Sequence, residues 1–205
     1  MTPPYAEHLE DVILGGQDGL VNVLGLSIGV AGATGAVPLV IVSGMAAMFS
    51  ESISMGAVAY TSTKAALDYE KKSAKDAGLD KRELEEVVRA LPAGLAPKKV
   101  SFIRARLLRH EDASAHASPL RKAVKVFAAT MAGSLVPLAP YFIFPVWTAA
   151  FASVALSAAV LFATGALKAH WTVGDWKRSG LEMLLVGGPA AIAGYAIGRL
   201  FHVQA

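Results

Sequence analysis

The apolar residues of this chain occur in long runs that are almost free of charge. Between positions 12 and 34 the only ionisable residue is Asp18, and between positions 37 and 63 the only one is Glu51. The 42 positions from 126 to 167 contain no charged residue, although Pro140 and Pro145 interrupt them. A helix needs about 20 apolar residues to cross a bilayer. These runs, with a further one at 181–200, therefore predict membrane-spanning helices.

The pattern predicts an all-α integral membrane protein that forms a single transmembrane domain with five spans. The predicted spans are 12–34, 37–70 with a cytosolic extension, 121–142, 145–167 and 181–201, and the segment 71–120 is predicted to be a basic, helical, cytosolic connection. The composition agrees, since 54% of the residues are hydrophobic, 17% are charged and the mean hydropathy is +0.48. Soluble domains are usually more polar.

The basic residues are unevenly distributed. Fifteen of the 19 Lys and Arg residues lie between Lys64 and Lys125, and Lys168, Lys177 and Arg178 follow in a second loop. The turns at 32–37 and 141–144 contain none. Because loops rich in Lys and Arg remain on the cytosolic side, the N-terminus is predicted to be cytosolic and the C-terminus to lie on the far side. The basic pI of about 9.2 then reflects topology, and no nucleic-acid partner is predicted.

One face of the first predicted helix is polar. Asp11, Gly15, Asp18 and Asn22 recur at helical spacing on an otherwise apolar cylinder. Such a stripe cannot face lipid, so it must face a partner helix or a water-filled path. An ionisable residue inside a membrane span marks an ion or proton pathway by default.

The second predicted helix carries Met48, Glu51 and Met55 on one face. Methionines at this spacing taken alone are typical of an ordinary core. A carboxylate between two thioethers instead suits a borderline divalent ion, because oxygen satisfies Mn²⁺ and Fe²⁺ and sulfur favours softer ions. The candidate metal ligands are therefore Asp18, Met55, Glu51, Asp11, Met48 and Asn22.

Enzyme motifs are absent from the sequence. It contains no phosphate-binding glycine loop, no HExxH and no nucleophile–base pair, and no histidine lies inside a predicted span. The chain also has no cysteine, hence no disulfide and no thiolate metal site. The alternative to a transporter is a membrane scaffold, in which the acidic side chains pair with Asn22, serines or buried water.

Several motifs in the same order resemble those of the vacuolar iron transporter family. They are Asp11-x6-Asp18-Gly-Leu, Ile53-Ser-Met-Gly-x3-Tyr, Gly133-Ser-Leu-x-Pro-Leu-x-Pro-Tyr, Gly165-Ala-Leu-Lys and Gly198-Arg. The resemblance implies a homodimer of five-span subunits that moves Fe²⁺, often also Mn²⁺, out of the cytosol in exchange for protons. It implies a path at the dimer interface, with no permanently bound cofactor.

The resemblance also assigns residues. Asp18 matches the central transport aspartate of the family, Met55 its pore methionine and Asp11 its acidic residue near the cytosolic entrance. A family glutamate two turns before the methionine corresponds here to Ala47, whereas Glu51 stands one turn before it. Other divalent cations, such as Co²⁺ or Zn²⁺, suit the same ligands.

The predicted cytosolic segment differs from the glutamate-rich metal-binding domain of some family members. Positions 71–78 are basic, and the acidic residues Glu83, Glu85 and Glu86 are interpreted as a solvated helix face. His110 and His116 offer an auxiliary metal contact at most. We expect a short member of the family in a bacterial cytoplasmic membrane, with a vacuolar membrane as the alternative.

Overall fold

The computed structural model describes residues 4–76, 118–171 and 174–201, and within these ranges the chain is helical with no strand. The five long helices are α1 (Pro4–Thr34), α2 (Val37–Asp76), α3 (Pro119–Leu138), α4 (Val146–Trp171) and α5 (Trp176–Leu200), and a 3-10 turn (Ala139–Phe142) follows α3. All five are long and apolar enough to cross a membrane. The prediction of an all-α protein with five spans is therefore confirmed.

The helices extend beyond the runs from which they were predicted. Helix α1 begins at Pro4 and α5 at Trp176, both before the predicted spans, while α2 continues to Asp76. Backbone hydrogen bonding continues past the first charged residue, because charged side chains at a helix end reach the aqueous interface. Most of the predicted helical connection at 71–120 lies outside the described residues.

The described residues divide into two compact units. The first comprises Met1–Gly56 and Val124–Ala205, and the second comprises Ala57–Ala123. The second unit contains the polar end of α2, where Asp68 and Lys71 form an exposed ion pair of 4.0 Å.

A two-residue connection joins α1 to α2. Gly35 has a φ of 63°, which glycine adopts without steric cost, and its N–H donates to the Ala31 carbonyl at 2.9 Å. The Ala36 N–H donates to the hydroxyl of Thr34. The sequence therefore ends α1 abruptly and returns α2 alongside it.

Helix α1 is packed closely against two other helices through glycines. Gly15 and Gly19 lie against the backbone of α3 near Thr130, and a Cβ on Gly15 would lie 2.8 Å from the Val126 carbonyl oxygen. Nearly two turns further on, Gly25 and Gly29 lie against α5. Small residues permit such close approach, which is how helices gain contact in lipid. At these contacts the residue numbers increase in the same direction along all three helices, so α1, α3 and α5 are parallel.

The interior is filled in two layers around α1. One contains Leu20, Leu161 and Met183, and the other contains Leu24, Ile28, Ala31, Val40, Tyr141, Ala149 and Ala150. Many large apolar side chains point outward instead, among them Phe151, Ile192 and Leu200, each more than 70% exposed. An outer surface of this kind suits lipid contact rather than water.

Helix α3 ends at a proline. Pro137 lies in its last turn, and the buried hydroxyl of Ser153 on α4 donates to the Pro137 carbonyl at 2.8 Å. This bond fixes α4 antiparallel to α3 after the intervening 3-10 turn. It also satisfies a backbone acceptor that has no water available within a membrane.

The glycine contacts give a prediction about stability. Gly194 lies against the Gly25 carbonyl, so a Cβ there would force α1 and α5 apart, whereas Gly188 on the same helix has nothing within 4 Å of its Cβ position. We expect Gly194→Ala to destabilise the protein by about 1–3 kcal/mol and Gly188→Ala to have little effect. Thermal unfolding of both variants in detergent measures this difference. Equal midpoints would contradict the packing.

Candidate metal site

The antiparallel pair of α1 and α2 brings three of the predicted residues together. The side-chain NH₂ of Asn22 donates to Asp18 Oδ1 at 3.3 Å and also to Glu51 Oε1. Asn22 therefore links a carboxylate on its own helix to a carboxylate on the next. Two negative groups share one donor, which reduces their mutual repulsion.

The sequence of α1 explains why these groups face α2. Asp18 and Asn22 are one turn apart and share a face, while Gly15 and Gly19 occupy the adjacent face against α3. Since α3 covers the glycine face, the polar face is left for α2. Gly15 was predicted to belong to the polar stripe, but it packs against α3 instead.

The three linked residues lie at the surface of the subunit. Asp18 and Glu51 are half-buried and Asn22 is exposed. Exposed apolar side chains surround them, including Leu26, Phe49 and Ile53, which is 61% exposed. A polar group in such a setting is unstable against lipid, so this surface requires a polar or protein neighbour.

Met55 lies near the same depth as Asp18. It is one turn after Glu51 on α2, Asp18 is one turn before Asn22 on α1, and the two helices run in opposite directions past the Asn22–Glu51 contact. Met55 is half-buried, and its thioether is at the level of the carboxylates. Met48 is only 3% exposed, so its side chain contributes to the core.

Asp11 lies apart from these groups. It is two turns before Asp18, about 10 Å along the helix axis, and its side chain is only 6% exposed. Asp11 also has an interaction partner. Ala47, half-buried, lies one turn before Glu51.

The described residues of this chain do not form a complete cluster of metal ligands. Over residues 4–76, 118–171 and 174–201, no three His, Asp or Glu side chains lie close enough together to hold a metal ion. The linked residues offer carboxylate oxygens and an amide oxygen, which suit Fe²⁺ and Mn²⁺, and Met55 adds a softer donor.

The sequence pattern did not reveal that Asn22 contacts Glu51 across the two helices. Helical periodicity assigns residues to one helix face and says nothing about the partner helix. The signal that was available is the turn length, because two connecting residues pair positions near 22 with positions near 51. The small-residue spacing Gly15-x3-Gly19 also indicated a packing face.

Comparison with known proteins places this geometry in context. A profile of the VIT family matches residues 9–199. Vacuolar iron transporter 1 of Arabidopsis thaliana is 28% identical over 222 residues, covering 95% of this chain and 86% of its own length. Protein CCC1 of Saccharomyces cerevisiae is 29% identical over 221 residues, covering 94% of this chain and 68% of its own length.

A third relative, vacuolar iron transporter 1 of Eucalyptus grandis, is 27% identical over 220 residues. The family match spans all five long helices, including the α1–α2 pair that carries Asp18, Asn22 and Glu51. The resemblance found in the motifs therefore extends over the chain as a whole, and the protein belongs to the VIT family of vacuolar iron transporters.

Proposed function

We propose that this protein is a transporter that moves Fe²⁺, and also Mn²⁺, out of the cytosol in exchange for protons. The observation that carries the proposal is the link between Asp18 and Glu51 through Asn22, at an apolar subunit surface. The names of the relatives, vacuolar iron transporters, support iron as the cargo. Metal ions are substrates in this proposal, and the protein holds no permanent cofactor and has no enzymatic activity.

The position of the site supports a homodimer. A two-fold axis beside α1 and α2 would bring Asp18, Glu51 and Met55 opposite their copies and double the number of ligands without further sequence. The exposed apolar residues Phe49 and Ile53 would be covered by the same contact. The ion path then runs between the subunits, and the carboxylates never face lipid.

Proton coupling follows from electrostatics. Several carboxylates close together in a medium of low dielectric constant cannot all remain charged, so either protons or a divalent cation must neutralise them. A cation that enters displaces protons, and protons that return displace the cation. Exchange of the two therefore avoids the state in which the site is empty and fully charged.

Asp11 has a separate role in this mechanism. Two turns from Asp18, on the predicted cytosolic side, it attracts cations toward the path. We assign the protein to a bacterial cytoplasmic membrane with the N-terminus in the cytosol, and a vacuolar membrane, which fits the names of the relatives, is the alternative.

The first test is metal uptake into liposomes that contain the purified protein and a pH-sensitive dye. We expect wild type to carry Fe²⁺ and Mn²⁺ with opposite proton movement, and Asp18→Asn to reduce the rate at least about tenfold, the scale on which groups around a metal affect its binding. Asp68→Asn, which removes an exposed carboxylate of the second unit, is the matched control. Undiminished flux in a folded Asp18→Asn protein would move the site away from Asp18, whereas the absence of flux in folded wild type would favour the scaffold alternative.

A second test asks whether Glu51 provides the function of the glutamate that is missing at Ala47. Glu51→Gln keeps the side-chain volume and loses the charge, so we expect a similar loss of transport. Restoration of transport by adding Ala47→Glu would indicate that a carboxylate on this part of α2 is what matters. Glu182→Gln, at an exposed ion pair on α5, is the control. Normal transport in Glu51→Gln would remove this residue from the mechanism.

The exchange mechanism predicts opposite effects of acid on the two sides of the membrane. Acid on the side from which metal enters should slow uptake, because protons compete for the carboxylates. Acid on the opposite side should accelerate uptake, because protons there displace the bound metal from the carboxylates. Initial rates measured with each side buffered separately test both signs. A rate that does not depend on the pH of the far side would indicate metal flux without proton exchange.

A further inference from the structure

A cavity of about 650 Å³ lies at one end of the pair formed by α4 and α5, far in sequence from the carboxylates. The residues that line it are apolar and mostly small: Ala163, Ala166, Leu167, Ala169, Gly174 and Trp176. The volume falls within the range of roughly 300–1,000 Å³ that is typical of small-molecule sites. The cavity is open, since its lining residues Leu167 and Trp176 are 53% and 52% exposed.

The packing of α4 on α5 explains the cavity. Gly165 lies against Ser179 and Gly180, which brings the helices together just beyond it, and Gly180 lies against the ring of Phe162. Phe162 holds Trp176 edge-on, with ring centroids 6.1 Å apart and planes at 80°. Trp176 is thereby fixed as one wall, while the short side chains of Ala163 and Ala166 leave the opposite side open.

Cations surround this opening. The Lys177 ammonium lies 5.5 Å from the centroid of the Trp176 ring, so its charge is directly over one wall. Lys168 lies between the wall residues Leu167 and Ala169, and its side chain is exposed. Arg178 is held by Glu182 at 3.3 Å, and Asp175 accepts from the Lys177 N–H at the start of α5. The three cations outnumber the two carboxylates, Asp175 and Glu182, so the rim has a net positive charge.

We propose that this cavity binds one anionic phospholipid. Its depth suits such a ligand, because Trp and Lys residues at the end of a span lie at the level of lipid headgroups. An acyl chain would fill the apolar part beside Ala163 and Ala166, and the phosphate would lie near Lys168 and Lys177. Basic pockets between membrane helices bind anionic headgroups in this manner. A zwitterionic lipid fits the apolar wall but not the charge of the rim.

The test uses the fluorescence of Trp176. Trp147→Phe and Trp171→Phe leave it as the only tryptophan of the chain. The full-length protein is placed in phosphatidylcholine vesicles that contain an equal, small fraction of brominated phosphatidylglycerol or brominated phosphatidylcholine. We expect stronger quenching by the anionic lipid. Equal quenching by the two lipids would overturn the proposal without the need for any further variant.

Charge variants identify the rim. Lys177→Gln should weaken the preference for the anionic lipid roughly fivefold, the effect of one cation near a membrane surface, and Lys168→Gln should act in the same direction. Arg199→Gln, which removes a cation at the other end of α5, is the matched control and should leave the preference unchanged. An equal effect of Arg199→Gln would mean that net charge, and not this cavity, selects the lipid.

Two further arms distinguish the source of the phosphate and the role of the cavity. Free inorganic phosphate should not reverse the quenching; reversal would mean that the rim binds phosphate ions rather than a lipid. Ala166→Leu, which narrows the apolar part of the cavity, should reduce the preference while retaining all rim charges. Persistence of the preference in that variant would place the lipid elsewhere. None of these outcomes depends on metal transport, so the lipid site and the proposed function are tested independently of each other.

Discussion

The close backbone contact of α1 with α3 and α5 is the constraint on which the rest of the bundle depends. In lipid there is little hydrophobic gain from bringing helices together, so contact must come from short interatomic distances over glycine and other small residues. Gly15 and Gly19 provide this contact on one side of α1, and Gly25 and Gly29 provide it on another. Because two faces are occupied in this way, a third is left to carry Asp18 and Asn22 beside α2.

Helix packing therefore positions the carboxylates, and their polar neighbours determine their electrostatic environment. Asn22 donates a hydrogen bond to both Asp18 and Glu51, which partly offsets the repulsion between the two carboxylates. Their half-buried position keeps both accessible from the surface. A fully buried pair of acids would hold protons and release them slowly, whereas a fully exposed pair would gain nothing from low dielectric. An intermediate position suits the exchange of a cation for protons that we propose.

The sequence predicted the helical class and the number of spans, because long apolar runs with almost no charge mark the helices that can cross a bilayer. It did not predict which helix each face would meet. Gly15 shares the spacing of Asp11 and Asp18, yet it packs on α3. Met48 and Met55 share a face of α2, yet only Met48 is deeply buried. The neighbours of a helix face change along its length, and periodicity contains no information about them.

The two-residue turn at Gly35 also bears on how the protein enters the membrane. A single acidic residue at the centre of an inserting helix costs about 3 kcal/mol, and both α1 and α2 contain one. Since the turn leaves no room for a loop, the two helices are adjacent as soon as both have been synthesised, and Asn22 can meet Glu51 before any other helix arrives. The hairpin therefore allows its polar groups to hydrogen-bond to one another before the rest of the bundle has assembled.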